Sequence, residues 1–157
     1  MHVDVAKIGF SKVKWLGDSS GTQGSPGIGP THSGSWYASG QSGHGFSIEI
    51  GKKADGSPLA VVYWYIYDSL GNPMFLTGSG VPDGNVLVVN FKSPVGMVFG
   101  EFDPDSVVRE AGGVGRFEFL DKDNGVFDYT PSGFSTALWG HTPITSLPLE
   151  KLFSIQH

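Results

Sequence analysis

Apolar and polar residues alternate along several short stretches of the chain, the period-two signature of strands that bury one face. The clearest is 59–68, Leu-Ala-Val-Val-Tyr-Trp-Tyr-Ile-Tyr-Asp, rich in β-branched and aromatic residues. It sets Tyr63, Tyr65 and Tyr67 on one face and Trp64 and Ile66 on the other. Phe46, Ile48 and Ile50 alternate within 45–51, and 3–8, 35–37, 74–80, 86–91, 116–120, 126–130 and 135–140 read as further strands. Turn signals punctuate them: Asp55-Gly56-Ser57-Pro58, Gly71-Asn72-Pro73, Pro82-Asp83-Gly84-Asn85 and Asp121 to Gly125. Parallel crossovers need helices between strands, and none fits, so the spacing predicts an antiparallel meander. One helix is predicted from Pro104 to Glu110, with Asp103 as its cap and Gly112-Gly113 as its stop. The expected fold is all-β: a meander of about eight strands closing into a barrel or sandwich, with one short helix.

At 157 residues the chain fits a single domain. It divides into an N-terminal strand and Gly/Ser/Pro-rich loop (1–34), the meander (35–140) and an apolar tail (141–157). The tail holds Ile144, Leu147, Leu149, Leu152 and Phe153, and is expected to pack back onto the sheet. Composition adds 24 glycines and 10 prolines, while charged residues reach only 16%, against roughly 25% in an average domain. Residues 19–48 contain no Asp, Glu, Lys or Arg. A net charge of −5 with scattered basic residues argues against nucleic acid, which demands clustered positive charge. No apolar run is long enough for a membrane-spanning helix. Zero cysteines excludes disulfides, thiolate catalysis and cysteine-ligated zinc. Met1 to Phe10 lacks the basic head and apolar core of a signal peptide, which fits a cytosolic chain or an already processed one.

Ser33-Gly34-Ser35-Trp36-Tyr37 followed by Ser42-Gly43-His44-Gly45-Phe46 resembles a pattern in a group of uncharacterised, often exported bacterial proteins. The resemblance continues through Val62 to Asp68, Gly71-Asn72-Pro73 and Phe99 to Pro104, and covers about residues 33–130. It implies a location outside the cytoplasm and carries no settled activity. Gly34-Ser35-Trp36 is also similar to the opening strand of avidin-like and lipocalin-like barrels, which can hold one small ligand inside.

Several residues suggest chemistry. Gly17-Asp18-Ser19-Ser20-Gly21 fits the nucleophile-elbow pattern, although Gly24 to Pro30 forbids the helix an elbow requires. In that reading Ser19 attacks, His32, His44 or His141 is the base, and Asp18, Asp103 or Asp128 orients it. The same three histidines would form a metal or base site if their loops converge at one end of a barrel, although loop histidines are more often just exposed. Asp121, Asp123, Asn124 and Asp128 gather oxygen ligands of the kind calcium takes, or serve as turn formers. Tyr63, Tyr65 and Tyr67, joined by Trp36, Trp139 and Phe134, would make a stacking platform for a sugar or a partner, unless the loop or tail covers them. Glu49 and Glu118 are a further candidate acid pair. Two functions follow: a small extracytoplasmic ligand-binding or interaction module for a small molecule or glycan, or a small hydrolase of esters, lactones or glycans, with calcium as a possible aid.

Overall fold

The structure is a computed structural model and describes residues 27–154. Nine antiparallel strands follow one another: β1 (Gly34–Tyr37), β2 (Gly45–Lys52), β3 (Pro58–Tyr67), β4 (Pro73–Gly80), β5 (Pro82–Asp83), β6 (Val86–Val95), β7 (Val108–Phe119), β8 (Asn124–Pro131) and β9 (Ile144–Ser154). Each long strand pairs with its neighbours in sequence, β4 pairs with β6, and β9 returns to pair with β1. The result is a closed up-and-down barrel of eight strands, with the two-residue β5 added along β6. Closure leaves no free edge, the liability of an open sheet. The expected strand at 3–8 lies outside the described residues.

Alternation along each strand decides what fills the barrel. Trp36, Phe46, Ile48, Val62, Trp64, Leu76, Leu87, Val89, Phe91, Phe117, Phe127 and Leu149 all point inward and are buried. Their rings touch one another: Phe46 lies 4.7 Å from Phe127, Trp64 4.7 Å from Tyr129, and Trp36 5.1 Å from Phe119. Gly115 makes room for this. A Cβ there would fall 2.5 Å from the Phe91 ring and 2.8 Å from the Phe127 ring.

Two elements differ from the sequence expectation. Pro104 does open a helical turn capped by the Asp103 carboxylate, but it is one 3-10 turn ending at Ser106. From Val108 the β-branched chain pairs with β6 instead, and the glycines expected to stop a helix lie within β7. The α-helix sits elsewhere, as α1 (Gly133–Trp139), where a strand was expected. The Ser132 hydroxyl accepts the Ser135 N–H at its start, and Gly140, with φ of 65°, ends it in the left-handed conformation that favours glycine. The apolar tail is β9 itself: it supplies the strand that closes the barrel rather than covering the sheet.

Candidate functional site

Strand β1 carries the chain from one mouth of the barrel to the other, and this separates the histidines. His32 precedes β1, and its ring meets Phe119 edge-on at 5.2 Å. His44 lies just before Gly45, the residue paired with the last position of β1, and stacks on Tyr67 at 5.5 Å. His141 joins His44 at that second mouth, its Nε2 3.2 Å from the Tyr67 carbonyl. The expected three-histidine convergence is therefore reduced to two. His32 and His141 are also buried, not exposed. Desolvation lowers the pKa of all three below the usual histidine value near 6.5. For His32 and His141 a backbone hydrogen bond pulls the other way.

His141 belongs to a buried polar cluster that sequence reasoning missed. Its Nδ1 lies 2.8 Å from Ser135 Oγ and 3.2 Å from Tyr129 Oη, and the Tyr129 hydroxyl donates to the Gly112 carbonyl at 2.6 Å. A carbonyl only accepts, so Nε2 carries the proton toward Tyr67 and Nδ1 of the neutral ring accepts from Ser135. That is the pairing that activates a serine nucleophile. Here Ser135 is fully buried, so the cluster fastens α1 to β7, β8 and the end of β3. Its sequence signals were the Ser132 cap and Gly140.

The candidate catalytic residues Asp18 and Ser19 lie outside the described residues. Among the described residues, no group of three or more His, Asp or Glu is arranged to hold a metal. The Asp121 carboxylate accepts the backbone N–H groups of Asp123 and Asn124 and the Asn124 amide, which closes the β7–β8 turn. Asp123 pairs with Lys122. Asp128 accepts the N–H of Ser146, whose φ of 53° is unusual for a residue with a side chain. Asp103 caps its own turn. Glu49 on β2 and Glu118 on β7 belong to non-adjacent strands, and Glu118 is 2.9 Å from Arg116, so they do not form an acid pair.

The tyrosines of β3 point outward as the alternation requires. Tyr65 is 53% exposed, Tyr63 37% and Tyr67 39%. Trp36 does not join them: it is buried in the barrel, its Nε1 donating to the His32 carbonyl at 2.9 Å. Trp139 packs against Phe134 and His141 beside α1. The partners that do join come from the strand register. Tyr37, Gly45, Tyr65 and Phe75 lie side by side across β1, β2, β3 and β4. Gly45 contributes no side chain, and over it lies a depression of about 360 Å³ lined by Tyr37, Tyr65, His44, Ser35, Ser47 and Leu152. His44 also borders a second depression, of about 240 Å³, with Gln41, Tyr67, Asp68 and His141.

A second exposed apolar surface lies far along the chain, in the 96–107 connection between β6 and β7. Phe99 is 97% exposed and Phe102 72%, their rings 6.4 Å apart and edge-on, with Met97 and Val98 beside them. The connection is folded on itself by the Val98–Glu101 bridge and by Asp103. It carries Glu101, Asp103 and Asp105 and no Lys or Arg.

No family model, curated protein or solved structure matches the chain.

Proposed function

We propose that this protein is a binding module that takes its ligand on the outer face of β1–β4. The observation that carries this reading is that the same strands bear rings on both faces. Inside, the rings pack on one another. Outside, Tyr37 and Tyr65 flank an unfilled position at Gly45, and Phe75 lies beside Tyr65 on β4. Large exposed apolar side chains grouped on one face are a mark of recognition surfaces. Screening small molecules and glycans by thermal shift tests it: a ligand should raise the melting temperature of the wild type and lose that effect in Tyr65→Ala. A stabilising ligand that ignores Tyr65→Ala would move the site elsewhere. The resemblance of residues 33–130 to exported bacterial proteins supports a location outside the cytoplasm, which fractionation of the native host would test.

The 96–107 connection favours a second reading, that of an interaction module. Its apolar tip is bordered by acidic groups alone, which suits a protein partner whose apolar pocket is rimmed by Lys or Arg. Phe99→Ala should weaken such a complex, and Glu101→Lys should weaken it most at low salt.

The hydrolase alternative rests on the loop serine Ser19 or on the acidic residues Asp121, Asp123 and Asp128 with calcium. Turnover of a p-nitrophenyl ester or lactone that vanishes in Ser19→Ala or on chelation would support it.

A further inference from the structure

The depression over Gly45 has a shape and a lining that narrow its ligand. Side chains stand roughly perpendicular to a sheet, and neighbouring strands lie about 4.8 Å apart. Tyr37 and Tyr65 sit on β1 and β3 with only Gly45 of β2 between them, so their bases are about 9–10 Å apart. A saturated ring touching both needs about 4 Å on each side. The slot thus fits one such ring, slightly thicker than a flat aromatic. Its volume of about 360 Å³ lies at the lower end of ordinary ligand sites.

The lining is largely apolar and, among the described residues, carries polar groups but no formal charge. The hydroxyls of Ser35 and Ser47 and the phenols of Tyr37 and Tyr65 are donors and acceptors, and His44 adds an imidazole. Burial disfavours the charged form of His44. Among the described residues no Lys, Arg, Asp or Glu lines the slot. The nearest charge fixed by the register is Glu150 of β9, beside Tyr37 on the side away from Gly45. Among the described residues no cation lines the slot to hold a phosphate or carboxylate, and Glu150 would repel one. What remains is a neutral ring with apolar faces and a hydroxylated rim.

Resting on the outer-face reading above, we infer that the Gly45 slot binds a pyranose unit of a neutral glycan, its faces against Tyr37 and Tyr65 and its hydroxyls toward Ser35 and Ser47. Stacking supplies the affinity, and the serines and His44 fix orientation. The glycine is part of the design, because any side chain at position 45 would occupy the space the sugar ring takes.

Affinity electrophoresis of the full chain tests this. The gels carry neutral polysaccharides (a β-glucan, an α-glucan, a mannan and glycol chitin) or, separately, anionic alginate. At least one neutral polymer should retard the wild type. Tyr65→Ala should weaken that retardation about tenfold. Ser47→Trp, which fills the slot from a position that already has a side chain, should do the same. Val88→Thr, on distant β6, should leave it unchanged. Melting curves of each variant separate lost binding from lost folding. Retardation by alginate alone, abolished in Tyr65→Ala, would overturn the neutral glycan and keep the outer-face site. Neutral-glycan binding indifferent to both slot variants would overturn the site itself. No retardation by any neutral polymer would overturn the inference while leaving the thermal-shift test of the outer face standing.

Discussion

Trp64 and Tyr65 are consecutive residues of β3, yet they obey different rules. Trp64 is 1% exposed and has Phe46, Phe91, Phe127 and Tyr129 around it. Tyr65 is 53% exposed, with Phe75 beside it on β4 but only a glycine beside it on β2. Each face also has its own use for glycine. Inside, the space beside Gly115 is already occupied by the rings of Phe91 and Phe127. Outside, the space above Gly45 stays open between two tyrosines. The inner face is filled by its own rings, whereas the outer face, among the described residues, leaves the space above Gly45 open.

Truncation should separate the two faces most strongly. Trp64→Ala removes a fully buried ring and should cost about 3–5 kcal/mol of stability in urea melts. Tyr65→Ala should cost less than about 1 kcal/mol, the scale of a lost cross-strand pair. Equal losses would mean that the outer tyrosines are core residues and that the slot is a packing detail.

The glycines offer the next contrast. Gly115→Ala drives a methyl into two rings that are held on all sides, and overpacking of that kind costs about 1–3 kcal/mol. At Gly45 the new Cβ would lie 3.2 Å from the Trp36 carbonyl, a tight contact that a few tenths of an ångström relieve. Gly45→Ala should therefore melt closer to wild type than Gly115→Ala.

Much of this contrast is written in the chain. Strict alternation in 59–68 fixes which rings go inward, and Gly56, Gly71 and Gly84 do take the positive φ of turn residues. Gly125 does not: it lies within β8, and Asp121 makes that turn. The first half of β7 was hidden because Pro104 to Glu110 reads as a helix and Gly112-Gly113 as its stop, with Gly115 just before the expected strand. The reason for these glycines is tertiary: Leu76 and Phe91 crowd Gly112, the rings of Phe91 and Phe127 crowd Gly115, and Gly113, at a φ of 133°, lies against the Thr130 carbonyl. The site was half legible. The outward tyrosines follow from periodicity, but the placing of Tyr37 across Gly45 from Tyr65 depends on the register of β1, β2 and β3. Trp36 was misassigned because β1 is too short for its own alternation to be read.

The mouths of the barrel give a pH test. His32, His44 and His141 titrate below the usual histidine value near 6.5 when folded, chiefly through burial. The unfolded chain then binds more protons than the native one in the window just below that value, so stability falls as pH is lowered through it. Above that window these groups are neutral in both states and contribute no slope. His141→Gln should be less stable at neutral pH, because its bonds to Ser135 and Tyr67 are lost or weakened. It should also lose less stability between pH 7 and 5 than wild type. A variant with the full wild-type slope would assign the acid sensitivity to His32 and His44.

The smallest expected effect is the most selective. Tyr65→Phe keeps the ring and removes one exposed hydroxyl, and surface changes of that kind stay within about 0.5 kcal/mol. Its melting curve should overlay the wild type. If the slot holds its ligand by stacking, as its two tyrosine walls imply, binding should survive Tyr65→Phe and fail in Tyr65→Ala. If binding fails in both, the phenol is the contact that matters, and the outer face recognises its ligand by hydrogen bonding at the rim instead of by enclosing a ring between Tyr37 and Tyr65.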